Sequence, residues 1–150
     1  MAGGVQITGL SELHGALSAM DSAIQKATRV ATAHAAHLAE GAIKRMLTTS
    51  SHPKGTPTPS APGDPPSLVT GTLRRSIKVV GPVPVGRGTW MAEIGPTAVY
   101  GRIQELGGTA GRGAELPPRP YVAPAYDQLV AGGVIGRTYY AAWAAAISHH

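Results

Sequence analysis

Arg119 is the residue best placed to do chemistry. It stands between Pro118 and Pro120 in the stretch ELPPRPYVAPAYDQ, residues 115–128. Both prolines fix φ and push their predecessors towards extended backbone, so the guanidinium rides on a stiff strut. Its planar fork suits two-point contact with a carboxylate, which lysine does not reproduce. The strut therefore predicts that Arg119 meets Glu105 or Glu115, in its own chain or in an adjacent subunit. Catalysis and metal binding find no such foothold. His34 and His37 share a helix face, but no third ligand is evident nearby, so they read as ordinary helical histidines. Glu93, Glu105 and Glu115 are acids that nothing in the sequence pairs for proton transfer. Gly107, Gly108, Gly111 and Gly113 do not form a phosphate-binding fingerprint leading into a helix. The two GRG triplets, at 86–88 and 111–113, are explained by turns. His149 and His150 read as a frayed end or a tag remnant. No metal, cofactor or catalytic residue is expected.

The elements that must carry Arg119 follow from periodicity. Leu10, Leu13, Leu17, Met20, Ile24, Ala27, Ala31, His34 and Leu38 recur at spacings of three and four, which predicts a helix to about Met46. Ser11 is the expected N-cap, Glu12 suits the first turn, and Lys44 and Arg45 suit the last. At about 1.5 Å per residue this helix is roughly 50 Å long, and it needs a partner along its length. Residues 5–8 read as a short strand before it. Six prolines make residues 49–69 a loop. With few apolar residues to bury, that loop is expected to be mobile unless a neighbouring subunit orders it. Thr70 then caps a helical turn with Leu73 inward and Arg74 and Arg75 outward. Ile77 and Val79 mark one face of a strand, GPVPVGRG a turn or hairpin edge, and Trp90, Ala92 and Ile94 one face of the partner strand. AVYGRIQELG reads as a short helix with Val99, Ile103 and Leu106 on one side, ended by Gly107. After the strut, Pro124 opens a last helix with Asp127 in its first turn, running to about Ile147. Its glycines at 132, 133 and 136 allow either close packing on Ala31–Ala36 or a kink. The fold class is α+β: a long N-terminal helix and a C-terminal helix packed on a small antiparallel β-sheet, as a single domain over 1–150.

Composition bounds the function. Charged residues are scarce at 14%, and apolar residues ordinary at 43%. Such a surface is expected where other protein covers much of it. Net charge is +5, and residues 44–119 hold ten Lys/Arg against four Asp/Glu. That excess keeps open a second class, a basic nucleic-acid-binding protein acting in solution, with Arg74, Arg75, Lys78, Arg87, Arg102, Arg112 and Arg119 as its footprint. Little aromatic interleaving accompanies those residues, and no groove-reading motif. The chain has no Cys, hence no disulfide framework or zinc-thiolate site. The apolar run Tyr139–Ile147 is too short to span a bilayer, and no signal peptide is seen, so a cytoplasmic origin is expected.

Two segments resemble a known family. TGTLRRSI, residues 70–77, is similar to the TG-x-L-x-x-S-[IV] element of the tail-component or tail-completion proteins of tailed bacteriophages. YGRIQELG, residues 100–107, with PPRPYVAPA, residues 117–125, resembles that family's second element, here Tyr100, Glu105, Gly107, Pro118, Arg119, Pro120, Tyr121, Pro124 and Ala125. The resemblance covers about residues 65–130. The glycine-rich stretch between Gly107 and Pro117 and the long 49–69 loop depart from the simplest pattern. The resemblance implies a structural virion protein of the head–tail neck and not an enzyme. It implies a homo-oligomeric ring, hexameric with a dodecamer as the alternative, between head-completion or connector proteins and the tail-terminator or tail-tube proteins. Genomic DNA would pass through the lumen without being read, and no membrane is involved. Arg74, Arg75, Glu105, Arg119 and Tyr121 are the expected intersubunit or bracing residues.

Overall fold

Helix α1, Leu10–Met46, has the bounds its periodicity predicts. It is the first element of a computed structural model that describes residues 8–49, 51–54 and 59–148. The strand expected at residues 5–8 and the terminal His149 and His150 lie outside the described residues, save Thr8, which is not in a strand. The start of α1 differs in detail from expectation. Gly9, with φ 88°, is the N-cap residue, and the Ser11 hydroxyl donates to Glu12 at 2.9 Å inside the first turn. The covered face also differs. Ala31, Thr32, Ala35, Ala36, Ala39, Ala42 and Ile43 are buried, whereas His34 is exposed and every residue from Leu10 to Ala19 is exposed. The apolar row is continuous in sequence, but partners reach only its C-terminal part.

Those partners are a hairpin and the C-terminal helices. Strands β1, Ile77–Gly86, and β2, Thr89–Pro96, pair antiparallel with Val79 opposite Ile94 and Pro84 opposite Trp90. The alternation is as read: Ile77 is buried, Trp90, Ala92 and Ile94 are half-buried, and Met91 and Glu93 between them are exposed. Arg29 of α1 lies 5.7 Å over the Trp90 ring. β1 runs on through Pro82 and Pro84, so of the turn or hairpin edge expected there the edge is found; its outer side pairs with no strand and needs no donors. The register slips between Val80 and Val83 and again between Pro84 and Gly86. Between the loop and the hairpin lies α2, Thr72–Ser76, with Leu73 packed against the core and Arg74 and Arg75 exposed.

Helix α3, Gly101–Leu106, ends at Gly107 as expected. Its expected apolar side is covered only in part: Val99 and Leu106 are exposed and Ile103 is half-buried, like Glu105, while Gly101 is buried. A two-residue ladder follows, β3 Gly108–Thr109 with β4 Glu115–Leu116, around a turn at Gly111–Gly113. The last helix is broken into α4, Ala123–Ala131, and α5, Val134–Ile147. Gly133 at the break has φ 63°, so the kink and not close packing accounts for it. A Cβ added at Gly136 would meet nothing within 4 Å, so the glycines do not press on Ala31–Ala36. α5 grips α1 through polar tips instead. The Thr32 and Tyr139 hydroxyls lie 2.8 Å apart, and Trp143 Nε1 donates to Thr28 Oγ1 at 2.9 Å. The core gathers Ala39, Ala42, Ile43 and Leu47 of the α1 end with Ile77, Tyr121, Ala125 and Leu129. The architecture is α+β, helices on a small antiparallel sheet.

Candidate functional site

The strut and its surroundings form a densely bonded junction. Tyr121 is fully buried, and its hydroxyl donates to the Gly101 carbonyl at 3.0 Å. Gly101 is required there: a Cβ would sit 2.5 Å from Pro96 and 3.2 Å from the Tyr121 hydroxyl. Burial pushes the Tyr121 phenol well above the ordinary tyrosine range, and the Glu105 charge and Tyr100 push it further, so it stays protonated and donates. Glu105, one helical turn beyond Gly101, reaches across to the start of α4. One carboxylate oxygen accepts from the Tyr121 N–H at 2.7 Å and the Val122 N–H at 2.9 Å, and the other from the Ala123 N–H at 3.0 Å. No side chain of α4 itself caps it, and no acid lies in its first turn. The dipole partner expected of Asp127 is therefore Glu105, from a different helix.

Arg119 is 7% exposed and does not pair with Glu105 or Glu115 of its own chain, contrary to the expectation from its flanking prolines. Glu105 is committed to backbone donors, and Glu115 accepts from the Thr109 hydroxyl across the small ladder. Arg119 instead joins three segments. Its N–H donates to the Gln104 carbonyl at 2.7 Å, and its Nε donates to the Ser60 carbonyl at 2.9 Å. Beside it the Gly63 N–H donates to the Pro118 carbonyl at 2.9 Å. The described second half of the proline-rich loop is thus tied to its own chain, where a neighbouring subunit was expected to order it. A parallel bridge between Ser51 and Leu68 ties it again.

A cleft of about 410 Å³ opens beside this junction, lined among others by Arg119, Arg74, Tyr100, Gln104, Leu68 and Val69. Arg74 and the two Nη groups of Arg119 have no partner among the described residues. Arg75 is turned away, donating to the Thr70 carbonyl at 3.0 Å. Of the five residues expected to brace or to make contacts between subunits, Glu105, Arg119 and Tyr121 meet in one junction, Arg74 shares the cleft, and Arg75 folds back on its own turn. Ser60, Gly63 and Gln104 could not be found from sequence, because they act through backbone atoms. Among the described residues no group of three His, Cys, Asp or Glu is arranged to hold a metal, and His37 instead contacts Glu40 at 3.1 Å. No described helix is long and apolar enough to cross a membrane. No protein-family model, curated protein or solved structure matches this chain.

Proposed function

We propose that this chain is a structural subunit of the head–tail neck of a tailed bacteriophage, and not an enzyme. Copies of it assemble into a ring, six-fold with twelve as the alternative, between the head connector and the tail tube, and the genome passes through the lumen. One observation carries the assembly part of this reading. Leu10, Leu13 and Leu17 form an apolar row 60%, 55% and 51% exposed, on a stretch of α1 that no described element covers. Full burial of a leucine stabilises by about 1.5–3 kcal/mol, so three half-exposed leucines leave a few kcal/mol available to a partner. Val80, Val83, Val85 and Met91 add exposed apolar surface on the hairpin. The neck placement rests on the resemblance of residues 70–77 and 100–125.

The alternative of a nucleic-acid binder in solution has less support. Arg119 is recessed in the junction, off the open surface along which a duplex backbone lies, and the exposed Arg75 has one donor committed to the Thr70 carbonyl, which leaves fewer of the seven footprint residues on such a surface. Mass photometry and negative-stain microscopy of the purified protein test the assembly. Uniform rings are expected, and the double variant Leu13→Glu/Leu17→Glu should give a folded monomer. A wild-type protein that stays monomeric at every concentration refutes the assembly reading. Antibody labelling at the head–tail junction of particles tests the neck placement, and particles without label refute it. Strong filter binding of duplex DNA, weakening steeply with salt, would favour the alternative.

A further inference from the structure

We propose that the cleft beside Arg119 is a receptor for an acidic peptide segment: it takes the carboxylate of a partner chain's Asp or Glu between Arg119 and Arg74, with that residue's apolar neighbours on Leu68 and Val69. This goes beyond assignment to a neck ring and does not depend on it. The starting observation is a buried cation without a counterion among the described residues. Arg119 is 7% exposed, yet Nε, bonded to the Ser60 carbonyl at 2.9 Å, is its only guanidinium nitrogen with a partner among the described residues. A buried charge that lacks its opposite is costly to keep, and a bound carboxylate offsets that cost.

The geometry is already fixed before any ligand arrives. Extended backbone between two prolines, the N–H bond to the Gln104 carbonyl and the Nε bond to the Ser60 carbonyl hold the guanidinium in place. Little side-chain entropy is then lost when the two Nη groups engage a carboxylate in a forked contact. Arg74 supplies a second positive charge on the same cleft, and no Asp or Glu is among its lining residues.

The lining selects peptide over phosphate. A nucleic-acid backbone is bound by cations strung along an open surface, several phosphates at a time. This cleft is a single recess of about 410 Å³ whose two arginines stand beside apolar side chains. Its size lies within the roughly 300–1,000 Å³ of small-ligand pockets, enough for one acidic side chain and the flanks of its neighbours.

The test is a titration of the uniformly ¹⁵N-labelled wild-type chain with the blocked tripeptide acetyl-Leu-Glu-Leu-amide, read from backbone amides of Arg119 and residues 68–74. Acetyl-Leu-Gln-Leu-amide and inorganic phosphate are titrated in parallel. The glutamyl peptide should give a saturable shift at those amides, with affinity about tenfold or more above the glutaminyl one, the value of a charge-assisted contact. Arg74→Gln, an exposed substitution that leaves the junction intact, should weaken the glutamyl peptide and not the glutaminyl one. Four outcomes overturn the proposal: no saturable shift, equal binding of the two peptides, phosphate binding more tightly than the glutamyl peptide, or an Arg74→Gln variant that binds it as the wild type does.

Discussion

Replacing Glu105 by Gln isolates the bond between α3 and α4. The side chain keeps its length and shape, but it loses its charge and one of its two acceptor oxygens. In the native junction three backbone N–H groups converge on that carboxylate, at 2.7, 2.9 and 3.0 Å. A glutamine oxygen can keep the Tyr121 and Val122 donors, but its NH₂ then faces the Ala123 N–H. Ala123 is exposed, so water replaces that bond at small cost. The larger loss is electrostatic. Two bonds fall from charge-assisted to neutral strength, and the half-buried charge at the α4 start disappears, for a combined loss of about 2–3 kcal/mol. Urea denaturation followed by circular dichroism measures it as a lowered midpoint with an unchanged slope. For a chain of this size the same loss lowers the melting temperature by roughly 4–12 °C. Glu105→Ala should cost at least about 1 kcal/mol more, because the part-buried Tyr121 and Val122 N–H groups are left bare. If Glu105→Gln moves stability by less than about 0.5 kcal/mol, the ordinary scatter of surface substitutions, the cap is not what fixes α4.

Gly133→Ala should destabilise by about 1–2 kcal/mol, since its φ of 63° disfavours any Cβ, whereas Gly136→Ala should stabilise α5 by up to about 1 kcal/mol in the same denaturation assay. Arg119→Lys keeps the charge but loses the Nε bond to Ser60 at a buried site, and should cost about 1–3 kcal/mol and speed proteolysis at Lys54; unchanged melting and cleavage would show that the loop is not held through Arg119. Tyr121→Phe removes the bond to Gly101 and should cost about 1 kcal/mol near neutral pH. Its effect on pH dependence has a definite sign. The folded phenol titrates above the ordinary value of 10.0, so the unfolded chain releases this proton first and wild-type stability falls as pH rises past that value; the Phe variant should fall less steeply, and parallel curves would refute the burial effect.

Features that depend on near neighbours in the chain were legible in the sequence. The repeat of threes and fours placed α1 at Leu10–Met46, and alternation placed Ile77 and Val79 on one face of the first strand and Trp90, Ala92 and Ile94 on one face of its partner. Pro118 and Pro120 marked an extended strut, and Pro124 the first turn of α4. These follow from backbone sterics and from side-chain period, which act over a few residues and need no partner. Tertiary structure decided what the strut holds. The choice of the Ser60 carbonyl for Arg119, rather than an acid, had no signature, because every residue carries the same carbonyl. Glu105 lies 16 residues before the first N–H it caps, and the acid that sequence alone offered to that helix start was Asp127. The apolar row of α1 was visible throughout, but which part is covered depends on how far α5 and the hairpin reach along it. That reach is set by the break at Gly132–Gly133 and by polar contacts at Thr28 and Thr32, and a period in the sequence carries no record of either.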